Sequence, residues 1–146
     1  MRLAYPIDLS RQSVEDGGGW LVTFPDWRNA VTDGASLQEA LVNAGDCLAT
    51  MIDYCLRKGE EIPTPSPAGN RRLIEPEPGL ALKAALWMGL REQHVSPAEL
   101  ATRLGDISHR QVQRLLNPRL KAQPELIHRA LAALGKRVVV EVLDAA

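Results

Sequence analysis

Two arginines four residues apart, Arg110 and Arg114 in Ser108-His109-Arg110-Gln111-Val112-Gln113-Arg114-Leu115-Leu116, are the side chains here best suited to chemistry with a charged partner. A spacing of four places them on one face of a helix. Each guanidinium is a planar fork that can bind guanine O6 and N7 together, and Gln113 between them can pair with an adenine edge. Ser108 and His109 stand at the start of the same helix, where unpaired backbone N–H groups favour a phosphate. Arg119 and Lys121 follow the Asn117-Pro118 stop and are placed to grip the nucleic-acid backbone. This chemistry is non-covalent: recognition of a duplex, with contacts to base edges and to phosphates.

The elements around these residues are written clearly enough to position them. Ser96 with Pro97 and Glu99 is an S-x-x-E capping box with proline at the first helical position, and Ser108 with Gln111 is a second box. Gly105 supplies a left-handed residue to end the first helix, and Ile107 acts as a staple before the second. Leu100, Leu104, Val112, Leu115 and Leu116 then face inward, small Ala101 allows close approach, and His109, Arg110, Gln113 and Arg114 face outward. The pattern predicts a helix-turn-helix, whose second helix enters the major groove. Its turn, Gly105-Asp106-Ile107-Ser108, is one residue longer than usual, which leaves the tilt of the second helix open.

Charge divides the 146 residues in two. Residues 1–80 hold seven basic and twelve acidic groups, a net −5, whereas the rest hold ten basic and six acidic groups, a net +4. The overall −1 therefore hides a C-terminal half suited to nucleic acid and an N-terminal half suited to a basic partner. Cys47 and Cys55 fall on one predicted helix eight residues apart, roughly 12 Å, which is beyond the ~7 Å limit for a disulfide. His94, His109 and His128 have no metal-ligand spacing, so neither a metal nor a cofactor is expected. No secretory leader and no bilayer-length apolar run stand in the sequence, so the expected location is the cytoplasm, with no membrane partner.

In the N-terminal half, Leu3, Tyr5, Ile7 and Leu9 alternate with more polar residues, the period of a strand with one buried face, and Pro6 suggests an edge or a bulge. Glu15-Asp16-Gly17-Gly18-Gly19 is a turn-rich loop leading to a second strand, Trp20 to Phe24. A short third strand is expected at about Ala30 to Thr32, with Asp33-Gly34 as a turn. Ser36 and Glu39 form a third capping box, and Leu37, Ala40, Leu41, Ala44, Leu48, Met51, Ile52 and Cys55 mark a long helix that stops at Gly59. The proline-stiffened segment Glu60 to Pro67 then leads to a fourth strand near Arg71 to Glu75.

Residues 3–67 resemble the N-terminal domain of HicB-family antitoxins. The resemblance runs through Tyr5-Pro6, Glu15 to Trp20, Val22-Thr23-Phe24-Pro25-Asp26, Val31-Thr32-Asp33-Gly34, Ser36 to Ala40 and Gly59 to Ser66. Gln111 to Pro118 and Ala130 to Arg137 are similar to the C-terminal part of members that carry a helix-turn-helix. The resemblance implies a degenerate RNase H-like domain that binds and inhibits a HicA-type toxin, a small basic ribonuclease that cleaves mRNA. It also implies repression of the chain's own operon through operator DNA. Trp27-Arg28-Asn29 replaces a stretch that is often similar to Leu-Pro-Gly-Cys in the family, so the shape of that loop differs. An RNase H-type active site needs three or four carboxylates gathered around metal ions. Asp8, Asp46 and Asp53 are too sparse for this, so an antitoxin without enzymatic activity is expected. Glu15, Asp16, Asp26 and Asp33 are the expected contacts to the toxin, with Trp20 and Trp27 as apolar anchors.

Glu75-Pro76-Glu77-Pro78-Gly79 reads as a boundary, giving domains at 1–75 and 80–146 joined by 76–79. The expected fold class is α+β: a βββαβ layer, then an all-α helix-turn-helix domain ending in a strand. That helical domain contains a packing helix from Leu80 to Gln93 and a last helix from Pro124 to Gly135. The β-branched run Lys136 to Leu143 supplies the terminal strand. Its unpaired edge favours pairing with a second copy, hence a homodimer or higher homo-oligomer. A rival reading makes the chain a stand-alone transcriptional regulator whose N-terminal half senses a ligand or dimerises.

Overall fold

The computed structural model describes residues 1–145, which form two compact units, residues 1–84 and residues 85–145. The first unit is a four-stranded antiparallel sheet, β1 (Tyr5–Arg11), β2 (Trp20–Thr23), β3 (Val31–Gly34) and β4 (Arg72–Ile74), with helix α1 (Leu37–Lys58) packed on it. The strand order is β3-β2-β1-β4. The register pairs Leu9 with Val22, Val22 with Thr32 and Tyr5 with Ile74, so these residues share one face with Ile7. Tyr5, Ile7, Val22 and Phe24 are buried there with Ala40, Ala44, Leu48 and Ile52 of α1.

Helix α1 starts and stops where its chemistry dictates. The Ser36 side chain accepts from the Glu39 N–H, the Glu39 carboxylate accepts from the Ala35 N–H, and Gly59 ends the helix in the left-handed region. Pro6 lies in a central strand, which corrects the expected edge position. The β1–β2 ladder begins only at Asp8, however, so at Pro6 the strand has a paired neighbour on the β4 side alone.

A second correction concerns Asp33 and Gly34, which belong to β3 rather than to a turn. Gly34 is buried opposite Trp20, and a Cβ on it would sit 2.3 Å from the Ala40 nitrogen and 2.6 Å from the Ala40 Cα. A glycine demanded by close approach of helix and strand looks the same in a sequence as one demanded by a turn. Gly19, at φ +80°, is pressed against the Gly34 carbonyl in the same way.

The proline-rich return lies along the first unit. Ile62 is buried, Tyr5 donates its hydroxyl to the Pro63 carbonyl at 2.6 Å, and Ser66 donates its N–H to Asp26 at 2.9 Å. Burial, then the nearby Asp26 carboxylate and Cys55, hold the Tyr5 phenol far above the ordinary tyrosine range. A raised folded-state value favours the native chain while both states are protonated, and the advantage is lost as pH climbs past about 10, where the unfolded phenol ionises. In a Tyr54→Phe background, phenolate absorbance should therefore stay flat through pH 10 and rise only as the chain unfolds. A reversible rise near pH 10 with the fold intact would contradict this placement. Tyr5→Phe should remove that alkaline step and cost about 1 kcal/mol for the lost hydrogen bond.

The second unit is helical. Helix α2 (Pro78–Glu92) contains the unit boundary, and α3 (Pro97–Arg103), α4 (His109–Leu116) and α5 (Pro124–Ala133) follow. Leu86, Leu90, Leu100, Leu115, Ala130 and Leu131 are buried almost completely. Gly89 lets the end of α5 come close, since a Cβ there would lie 3.0 Å from Leu134, and the Gln93 amide donates to the Leu134 carbonyl at 2.7 Å.

Residues 136–145 form neither helix nor strand within the single chain, so the expected terminal strand finds no partner edge in its own sheet. Val139, Val140, Val142 and Leu143 stand exposed. High strand tendency does not make a strand, because the ladder needs a second edge to receive its N–H and C=O groups.

Candidate functional site

Helix α4 is held at its start by a complete capping box. The Ser108 hydroxyl accepts from the Gln111 N–H at 3.2 Å, and the Gln111 side-chain oxygen accepts from the Ser108 N–H at 3.0 Å. Before it, Gly105 at φ +84° and Asp106 at φ +60° both take the left-handed region, and that pair turns the chain from α3 to α4. Arg129 of α5, to which the sequence reading gave no part, donates to the Leu104 carbonyl at 3.3 Å where α3 ends. Basic residues near a helix C-terminus complement its orphan carbonyls, but nothing local to Arg129 points to a helix 25 residues away.

Val112 and Leu115 fix the inner side of α4, and Ser108, His109, Arg110, Gln113 and Arg114 are all exposed on its outer side. Gln113 and His109 touch through their side-chain nitrogens at 3.1 Å, one turn apart. Arg110 and Arg114 form no ion pair among the described residues. Two unpaired guanidinium groups on a short, rigidly capped helix form a cationic face whose donors are available to a polyanion. Arg119 and Lys121 are exposed on the segment that follows. A cavity of about 50 Å³ opens beside them, walled by Gln111, Arg114, Leu115, Lys121, Gln123 and Leu126.

The acidic candidates of the first unit do not form one cluster. Glu15 and Asp16 lie exposed in the loop between β1 and β2, where the Ser13 hydroxyl donates to Asp16 at 2.8 Å. Trp20 opens β2 half-buried, with the Arg11 guanidinium 5.4 Å from its ring centre. Leu21 pairs with Asp33, so exposed Asp33 lies at that same end of the sheet. Asp26 and Trp27 follow the other end of β2. Asp26 is engaged by both the N–H and the hydroxyl of Ser66. Trp27 is buried against Tyr5 with ring centres 5.4 Å apart, and its indole N–H has no partner among the described residues. Asp26 and Trp27 line an open depression of about 430 Å³ together with Arg28, Cys55, Glu61 and Pro63.

With this geometry in place, comparison with known proteins decides the family. Residues 4–74 match the family described as the HicB-like antitoxin of bacterial toxin-antitoxin systems. The chain is 35% identical over 136 residues to Antitoxin HicB 2 of Photorhabdus laumondii, covering 93% of this chain and 94% of that protein. It is 31% identical over 137 residues to Antitoxin HicB of Escherichia coli K12, covering 93% and 96%. Antitoxin HicB of Pseudomonas fluorescens is 36% identical over 133 residues, 88% of each chain. The chain belongs to the HicB-like antitoxin family.

In this HicB-like chain the strand and helix carboxylates are already committed or apart. Asp8 pairs with Arg71 at 2.7 Å and Asp53 with Arg57 at 2.6 Å. Asp8 alternates with Tyr5 and Ile7, so it projects from the sheet face opposite the one that α1 covers. Among the described residues no three His, Cys, Asp or Glu side chains gather where they could hold a metal ion. Both cysteines are free, with Cys55 buried and Cys47 half-buried. No helix among the described residues is long and apolar enough to cross a membrane.

Proposed function

We propose that this HicB-like antitoxin neutralises a HicA-type mRNA-cleaving toxin with its N-terminal unit and represses its own operon with α3 and α4, acting as a helix-turn-helix. The observation that carries the reading is similarity to proteins named Antitoxin HicB along more than nine-tenths of the chain, so both units share in it. Charge supports the division of labour, since residues 1–80 carry a net −5 and the remainder a net +4.

On this reading the N-terminal layer is a degenerate RNase H-like domain that inhibits by cover, and no chemistry is asked of its carboxylates. Glu15, Asp16 and Asp33 form the charged part of the toxin face, with half-buried Trp20 as its apolar part. Ser108, His109, Arg110 and Gln113 meet the major groove, and Arg119 and Lys121 meet the phosphate backbone. The exposed run Val139 to Leu143 pairs with the same run of a second copy, which satisfies its free edge and matches a two-half-site operator. The protein works in the cytoplasm, where both mRNA and operator are found.

The test is co-purification of the full chain with the small basic protein encoded beside it, followed by cleavage of an mRNA by that protein with and without the chain. The expected results are retention at micromolar or tighter concentration, RNA left intact at equimolar ratio, and a dimer mass by light scattering for the chain alone. Undiminished cleavage in the presence of excess chain would end the antitoxin reading. Retention of operator DNA without capture of any such toxin would instead favour the stand-alone regulator.

A further inference from the structure

The arginines of α4 are equivalent by sequence spacing, but the fold surrounds them differently. Arg110 is the second residue of the helix, at the end that reads base edges when such a helix enters a major groove. Arg114 lies in the last turn and walls the cavity shared with Lys121 and Gln123, a wall that does not include Arg110. Leu115 and Leu126 form its apolar side. The cavity volume of about 50 Å³ is several times the ~10–15 Å³ that one water requires on the same measure. Neither Arg114 nor Lys121 forms an ion pair among the described residues, so two positive charges face this space with no acid to neutralise them. Gln123 in this wall is also the N-cap of α5, so the two cationic side chains face the space beside a helix start, and Glu125 of that first turn is not part of the wall.

We propose that the cavity walled by Arg114, Lys121 and Gln123 seats one backbone phosphate of bound DNA, which makes Arg114 a phosphate anchor and leaves guanine reading to Arg110. The ligand is a phosphate oxyanion: Arg114 offers paired N–H donors, Lys121 a point charge, and the Gln123 amide a neutral donor. The proposal deepens the operator-binding reading and rests on it. It also gives the lengthened turn before α4 a consequence, because an anchor at the end of the helix sets the angle at which its start meets the bases.

The experiment measures binding of the full chain to two duplexes of equal length, the DNA upstream of its own gene and a scrambled version, across a salt series. Arg114→Ala should weaken both by the same factor, about tenfold, and flatten the salt dependence by about one ion. Lys121→Ala should do the same. The double variant should lose clearly less than the product of the two single losses, because both groups serve one phosphate. Arg114→Ala weakening only the upstream duplex, with the salt slope unchanged, would overturn the proposal in favour of base reading. A second arm titrates the free chain with millimolar inorganic phosphate and follows backbone amide resonances. Shifts are expected at Ala122, Gln123 and Leu126, lost in Arg114→Ala, and their absence overturns the site whatever the DNA result. Phosphate shifts without retention of either duplex would leave an oxyanion site and remove the operator reading instead.

Discussion

Gly34→Ala is expected to lower the melting temperature of the full chain by about 12 °C or more and to abolish capture of the toxin. The added methyl carbon would lie 2.3 Å from the Ala40 nitrogen, 2.6 Å from the Ala40 Cα and 2.8 Å from the Glu39 carbonyl carbon. All three are backbone atoms of α1, so no flexible side chain can swing away, and either the helix lifts from β3 or the strand leaves its register. Overpacking of this kind costs about 3 kcal/mol, and each kcal/mol moves the melting point of a small domain by roughly 4–8 °C. Gly45→Ala is the matched control, because nothing lies within 4 Å of the Cβ it would add to the middle of α1. That substitution should stabilise the chain by roughly 0.5–1 kcal/mol through helix propensity alone. The same chemical change is thus expected to act with opposite sign eleven positions apart. Thermal melts followed by circular dichroism, with co-purification alongside, read both effects; a Gly34→Ala melt within 3 °C of the parent would show that β3 and α1 are not packed as described.

Arg110→Ala should cut affinity for the upstream duplex by roughly 5- to 150-fold, the ~1–3 kcal/mol carried by one bidentate arginine–guanine pair. Binding to the scrambled duplex should change far less. Arg110 is exposed in the first turn of α4 and its side chain makes no hydrogen bond or ion pair among the described residues, so its loss should leave melting temperature and toxin capture as they were. Fluorescence anisotropy with the two duplexes at fixed salt gives the ratio directly. An equal loss on both duplexes would assign Arg110 to the phosphate backbone and would require another residue of α4 to read the bases. Arg110→Lys is informative too, since it keeps the charge but not the planar fork, and should leave binding to the scrambled duplex as it was without recovering discrimination.

Much of the local structure was legible before any fold was known, and the reason differs by element. The ends of α1, α3 and α4 are written in residues that act on their own neighbours: Ser36, Ser96 and Ser108 cap within three positions, and Gly59 and Gly105 take left-handed backbone. The three-to-four spacing of Ala40, Ala44, Leu48 and Ile52 identifies their buried face in the same local way, whereas in β1 the alternation is broken by Pro6, which is buried together with Tyr5 and Ile7. Glycine was less transparent. Gly34 looks like half of an Asp-Gly turn because a sequence does not say whether missing side-chain volume serves backbone torsion or a neighbouring helix.

The functional residues divide along the same line. The identity of the charged groups, their four-residue spacing on α4 and the opposite signs of the two halves are properties of the chain, and the proposed division between a nucleic acid and a basic partner starts from them. Folding decided how the candidates group: antiparallel pairing puts Glu15, Asp16, Trp20 and Asp33 at one end of the sheet and sends Asp26 and Trp27 to the other. It also buried Trp27 against Tyr5, tied Asp26 to Ser66 and walled Arg114 in with Lys121. Capping, periodicity and net charge depend on residues a few positions apart and so can be read along one dimension. Register, burial and the sharing of a cavity depend on segments tens of residues apart meeting in space, and only the packed core brings those together.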